Sequence, residues 1–176
     1  MASGGWQSEQ HLHGEVSPRE LIDRLGQFRG HPAEFLVNLL AVQCHLSGAA
    51  SGAILRPAEN GQVDVVAVFP LLAEGTSTLP DWLARAAESI RQVISAGKTT
   101  VKPLHSSDDL YGQPAQRHLV MIPLKSNGTG IRGVAAYVVG SSDAAILSAS
   151  TERLELTLPL LNLYDCLLYT SPSPRD

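Results

Sequence analysis

Cysteine and aromatic side chains are what this chain has least of. Its two cysteines, Cys44 and Cys166, stand far apart, which excludes a disulfide framework and any paired-cysteine metal spacing. Aromatic residues make up only 5% of it, so a core has to be built from Leu, Val, Ile and Ala. No apolar run approaches the ~20 residues that a membrane helix needs. The opening stretch MASGGWQSEQHLHGEV has neither the basic start nor the apolar centre of a secretory signal. Lys and Arg are not clustered and the net charge is −4, which excludes the basic footprint of a nucleic-acid binder. These absences predict a reduced, cytoplasmic setting, with no nucleic-acid partner and no direct membrane contact by this segment.

What is present is enough for one core. The chain has 176 residues, 44% of them hydrophobic and 17% charged, the composition of one globular domain with short extensions. Residues 1–16 are polar, Gly-rich and aperiodic, and are expected to be disordered. At the other end the composition breaks after Asp165 into a Ser/Pro string. All eleven residues of CLLYTSPSPRD, 166–176, match in order one reading frame of a transposase adapter used in preparing DNA sequencing libraries. That resemblance marks the segment as a non-native tail and sets it aside from the fold. Cys44 is then the one remaining cysteine, and the natural chain is expected to have continued past Asp165. The domain proper spans 17–165.

Within it the hydrophobic period switches between helix and strand. SPRE, at 17–20, is a helix start: Ser17 caps, Pro18 fits the first helical position and Glu20 completes a capping box. This short helix is expected to run to about Phe28, with Gly30 ending it. A second helix begins near Pro32, with Phe35, Leu36, Leu39, Leu40, Val42 and Leu46 on one wide apolar face and Gly48 as its C-terminal cap. Residues 51–56 and 62–69 are Val- and Ile-rich strands joined through AENG, a hairpin signal. Pro80 and Asp81 open a third helix that Gly97 stops. KTTVKPL is a short strand, and HSSDDLYGQPAQ a loop. Residues 118–125 and 131–139 are strands joined by SNGTG. Ser142 and Asp143 start a last helix to Asp165, which Pro159 should bend.

Consecutive strands joined by tight turns are antiparallel. VDVVAVF and IRGVAAYVV are apolar at odd and even positions alike, so neither face of their sheet can be left wet. The terminal helices should cover one face. The third helix and the long loops should cover the other, with a small-ligand pocket beneath them.

RHLVMIPLKSNGTGIRGVAAYVV, at 117–139, resembles the closing hairpin of a GAF domain. Members of that family show a strand ending in Pro-Leu, a turn, then an apolar strand opened by Gly-Val; Pro123, Leu124, Gly133 and Val134 stand in those places. The resemblance covers about 32–165 by order of elements. It implies an α+β fold: a central antiparallel sheet of five to six strands in order 2-1-5-4-3, helices on one face and a covered small-molecule pocket on the other. It also implies dimers made through helices, here a homodimer through the terminal helices. LAVQCHLSGAASGAIL and RLELTLPLLNLYD are similar to GAF-type segments that precede bacterial membrane-fusion (periplasmic adaptor) proteins of secretion and efflux systems. That similarity implies a parent protein anchored in the inner membrane.

The chain departs from the family's specialised branches. The Asn-Lys…Phe…Asp-Glu signature of cyclic-nucleotide-binding members is absent. Cys44-His45 is the dipeptide of bilin attachment, but it lies on the helix before the first strand. The reactive cysteines of the methionine sulfoxide reductase branch are missing, as is a ligand set for haem or iron. No cofactor is therefore assigned.

Catalytic and metal constellations are weak throughout. His11 and His13 have no third ligand nearby. Asp108 and Asp109 read as turn-capping carboxylates. Asp64, Ser89 and His118 form a triad on paper but lack a nucleophile elbow. SNGTG lacks the Lys-Ser/Thr of a phosphate loop. Leu147, Leu154 and Leu161 fall seven apart, core spacing that also suits a helical dimer seam. Candidate pocket contacts are Trp82, His105, Tyr111, Met121 and Tyr137, each aromatic, soft or hydrogen-bonding. The function expected is a non-catalytic sensory or regulatory domain that binds a small molecule and signals through its terminal helices. The alternative is a ligand-free structural or dimerisation module of a secretion or efflux adaptor.

Overall fold

The computed structural model describes residues 17–75, 77–105, 112, 115–125 and 130–161. The expectations for residues 1–16, the Asp108–Asp109 pair, Tyr111, most of the SNGTG turn and the 166–176 tail lie outside the described residues.

Helix α1 (Pro18–Gly26) starts where Ser17 Oγ accepts the Glu20 amide at 3.2 Å. The reciprocal half of the capping box is not made, because the Glu20 carboxylate turns to Arg24 at 2.6 Å instead. The helix is also shorter than its sequence suggests. Gln27 leaves helical geometry, and Phe28 folds back to meet Phe35 at 5.8 Å between ring centroids. Helix α2 (Pro32–Ser47) is capped by His31 Nδ1, which accepts the Ala33 amide, and ends at Gly48 with φ 78°. Left-handed geometry there costs glycine nothing.

Strands β1 (Ala49–Pro57) and β2 (Val63–Phe69) form the first hairpin. At its tip Gly61 takes φ 80°. The Asn60 side chain accepts the Gln62 amide at 3.1 Å, fixing the turn. Helix α3 (Asp81–Ala96) follows, then strands β3 (Thr100–Leu104), β4 (Arg117–Lys125) and β5 (Ile131–Val139). Asp143 caps helix α4 (Ala144–Thr157), its Oδ1 accepting the Ala145 amide at 2.8 Å. At Leu158–Leu160 the chain tightens into a 3-10 turn. Pro159 has no amide to continue the ladder, so the bend expected there is an end to α4 proper.

The strands form one five-stranded sheet in the order β2-β1-β5-β4-β3, every neighbouring pair antiparallel. Both of its faces are covered. On one, α1, α2 and α4 enclose Leu36, Leu39, Ile54, Val120, Ile122 and Leu154. On the other, Leu83, Ala86, Ile90 and Val93 of α3 close over Leu55, Leu119, Met121, Val134 and Ala136. Residues 134–139 of β5, at the sheet's centre, are all buried. β3 pairs with β4 only from Arg117 to Met121. Pro123 therefore lies past the end of that ladder, where its missing N–H costs nothing.

Gly133 is needed for a different reason. A Cβ built there would sit 2.5 Å from the Leu55 carbonyl oxygen on the neighbouring strand. The offender is backbone and cannot swing aside. Gly140, just past the same strand, has nothing within 4 Å. Gly133→Ala should cost about 2 kcal/mol or more and Gly133→Leu should prevent a cooperative melt, as strand displacement at a packed site does. Gly140→Ala should melt within a few degrees of wild type. Thermal denaturation followed by circular dichroism reads all three, and an unchanged Gly133→Leu melt would contradict the register of β1 against β5.

Candidate functional site

Helix α3 is an amphipathic cover fastened at both margins. Its apolar face lies on the sheet, while three cations reach from its edges or toward them. Arg91 Nη2 donates to the Gly61 carbonyl at the hairpin tip at 2.9 Å. From β3, Lys102 Nζ donates to Gln92 Oε1 at 2.6 Å and to Ser89 Oγ at 3.2 Å. Arg85 Nη2 donates to the His105 carbonyl at 3.2 Å. The floor below α3 is apolar and the polar groups stand at its rim.

The four pocket candidates among the described residues do not all lie together. Trp82 is half-buried against the α3 cluster, and Met121 lies fully buried in the floor of the same cluster. His105 is exposed at the end of β3, its carbonyl holding Arg85. Tyr111 is outside the described residues. Tyr137 faces the other way. It pairs with Val120, and Met121 pairs with Ala136, so the two side chains project from opposite faces of the sheet.

Tyr137 instead enters the helix layer, its ring filling the space beside Gly52, whose Cβ position would lie 3.0 Å from Cδ1. Its hydroxyl donates to Gln43 Oε1 of α2 at 2.6 Å. Gln43 Nε2 donates to Thr157 Oγ1 of α4 at 3.0 Å, and Thr157 Oγ1 donates to the Leu154 carbonyl at 2.8 Å. Tyr137 and Gln43 are 0% and 1% exposed, so this line of hydrogen bonds is sealed from water. Among the described residues no buried side-chain nitrogen or oxygen lacks a partner. The sequence hides this line, since Gln43 and Thr157 stand among leucines that carry the apolar pattern. The signal was there: Gln43 falls four residues after Leu39 on the buried stripe of α2, where a polar residue needs an internal partner.

The leucine stripe of α4 is spent inside. Leu154 is 0% exposed in the helix-layer core, with Leu147 and Leu161 packed against that core. The large apolar residues α4 leaves outside are Ile146 and Leu156, 53% and 72% exposed.

No activated acid, base or nucleophile assembles among these groups. Asp64 pairs with Arg56 at 3.4 Å, Ser89 accepts from Lys102, and His118 Nδ1 meets the Ser141 carbonyl at 2.8 Å. The paper triad is thus scattered over β2, α3 and β4. Among the described residues no three His, Cys, Asp or Glu side chains gather as metal ligands, and no helix is long and apolar enough to cross a membrane. Burial pushes the Cys44 thiol up from 9.0 to about 12. Burial also raises the Tyr137 phenol, with the neighbouring Cys44 adding to the effect and the Gln43 hydrogen bond opposing it.

No model of a protein family matches the chain, and no curated protein does. Solved structures do. The chain is similar to the A. aeolicus nlh2 GAF domain, with a TM-score of 0.58 and 16% identity over 86% of this chain and 96% of that one. It is similar to the GAF domain of a phosphoenolpyruvate-protein phosphotransferase from Coxiella burnetii, with a TM-score of 0.54 and 11% identity over 86% and 93%. It is also similar to the second GAF domain of DevS from Mycobacterium smegmatis, with a TM-score of 0.50 and 20% identity over 80% and 100%. At these identities the likeness shows the fold alone: the chain adopts a GAF-like fold.

A thiol held at about 12 is protonated at neutral pH and unreactive. In a Cys166→Ser background, Cys44 should resist iodoacetamide at pH 8 while folded and react once unfolded. The linkage has a definite sign. A pKa raised by folding gives stability that is complete below the unfolded value near 9.0 and is lost as pH climbs toward about 12. Melting temperatures taken from pH 7 to 11 should fall less steeply for Cys44→Ala than for its parent, the thiol contributing up to ~1.4 kcal/mol per pH unit.

Proposed function

We propose that this chain is a non-catalytic sensory or regulatory domain that binds a small molecule on the α3 side of its sheet and signals through its terminal helices. One observation carries the proposal. Strand β5 faces α3 through Val134, Ala136 and Val138, and reaches α2 and α4 through the Tyr137 hydrogen-bond line. A ligand that favours one position of α3 therefore acts on the strand to which both terminal helices are tied. Differential affinity for two such arrangements is all that a signal requires. In this scheme Trp82 and His105 stand at the rim of the site and Met121 forms its floor, and Tyr111 remains a proposed contact outside the described residues. Tyr137 acts as a relay rather than a contact.

The domain is proposed to work in the cytoplasm as part of a larger protein, as a homodimer through its terminal helices. Since Leu154 is interior, such a dimer would use the outer flank of α4 that carries Ile146 and Leu156. A second reading draws on the tight apolar closure of α3 over the sheet, where Leu83, Ala86, Met121 and Val134 are all fully buried. It makes the chain a ligand-free structural or dimerisation module. Its setting in a bacterial secretion or efflux adaptor rests on the resemblance of LAVQCHLSGAASGAIL and RLELTLPLLNLYD to GAF-type segments of such proteins.

Trp82 supplies the test. The chain has two tryptophans, and Trp6→Phe leaves Trp82 on α3 as the single reporter. A metabolite panel is read by thermal shift and Trp82 fluorescence together. A true ligand at hundredfold excess over Kd stabilises by about 2.7 kcal/mol, several degrees of melting temperature, and should also change Trp82 emission. A panel without a hit favours the ligand-free module.

A further inference from the structure

The buried polar residues of α2 and α4 are Gln43, Ser47, Ser150 and Thr157, and one line of hydrogen bonds through Gln43 and Thr157 has a direction. Tyr137 donates to Gln43, Gln43 to Thr157, and Thr157 to the Leu154 carbonyl. The first donor belongs to the central strand and the last acceptor to α4. Gln43 is held from its backbone as well: its carbonyl accepts the Ser47 hydroxyl at 2.7 Å, and Ser47 Oγ accepts the Ala49 amide at 3.3 Å. These bonds tie the end of α2 to the start of β1, so the Gln43 carboxamide projects from a fixed base.

The line ends where α4 is weakest. Pro159 lacks the amide that would bond the Glu155 carbonyl, which instead accepts from Leu158. Leu161 N–H then bonds back to Leu158 and Pro159 in a 3-10 turn. At this break the regular ladder no longer dictates how the following turn is aimed. Thr157, immediately before the turn, is gripped by Gln43.

We propose that Gln43 is the coupling residue of this domain, a positioning residue whose carboxamide converts displacement of β5 into reorientation of the Leu158–Leu160 turn at the end of α4. The two carboxamide ends do different work. Oε1 senses the strand through the Tyr137 hydroxyl, and Nε2 sets the Thr157 side chain. A chain of aligned donors strengthens each of its bonds, and loss of one member loosens the next. No hydrogen bond joins Tyr137 directly to Thr157 among the described residues, so the hydrogen-bonded route between them passes through Gln43.

The coupling derives its purpose from the regulatory reading, but it is measurable without a ligand. A failed metabolite panel would leave it standing, and its failure would leave the panel's answer standing. Native-state amide exchange on the full chain compares Tyr137→Phe, Thr157→Val and the double variant. Tyr137→Phe should speed exchange of the Leu158 and Leu161 amides by about tenfold while β1–β2 amides keep their wild-type rates. The double variant should exchange there no faster than the faster single variant, because one line can be cut only once. Uniform acceleration across the domain, unchanged rates at Leu158 and Leu161, or additive effects would each overturn the proposal. If Tyr137→Phe does not fold, Thr157→Val reads the line from its other end: the Tyr137 ring resonances should shift, by reciprocity, and unshifted resonances would refute the coupling.

Discussion

Everything in this molecule depends on a strand that is apolar on both sides. From Val134 to Val139 no side chain of β5 reaches water, and β4 does nearly the same from Leu119 to Pro123. A sheet with one wet face needs one covering layer; this one needs two. The chain therefore spends its first two helices and its last on one face and sends α3 to the other. Burying a side chain of Leu or Val size stabilises by about 1.5–3 kcal/mol. Stripping either layer would expose many such side chains at once.

The two layers are built on different chemistry, and the difference matters for function. Under α3 the interior is apolar, and the polar groups that fasten it, Arg85, Arg91 and Lys102, sit at the margins within reach of solvent. Such a cover is held by non-directional packing and exposed tethers, each of modest strength. The helix layer adds buried, directional hydrogen bonds to its packing. Breaking one there leaves a polar group unpaired away from water, which costs about 1–3 kcal/mol. α3 is thus held by packing and rim tethers, and α2 with α4 by buried directional bonds as well. The proposed function draws on that asymmetry.

The topology was legible because its signals are local. Asn60-Gly61 marks a hairpin, the double-sided apolar strands demand two layers, and Pro123 and Gly133 announce an uncovered stretch of strand edge and a close approach. The assignment of faces was not legible. When a strand is apolar at every position, alternation gives no phase, and Met121 and Tyr137 were given to one pocket although their cross-strand partners, Ala136 and Val120, put them on opposite sides. The heptad spacing of Leu147, Leu154 and Leu161 carried a related ambiguity, since a buried stripe and a dimer seam have nearly the same period. Leu154 is fully buried in the core, while Leu147 and Leu161 pack against it only partly buried. Gln43 was overlooked because a polar residue on an apolar helix face has meaning only with its partners, and those lie 94 and 114 residues away in sequence.

The central claim is that β5 serves two layers at once, with neighbouring side chains on opposite faces. Side-chain NOEs in solution test it most directly. The Ala136 methyl should show contacts to Ile90 and Val93 of α3 and none to α2, while the Tyr137 ring should contact Leu40 and the Gln43 side-chain amide and none of α3. Contacts from both residues to the same helix would contradict the two-layer arrangement, and with it the route proposed from α3 to the terminal helices.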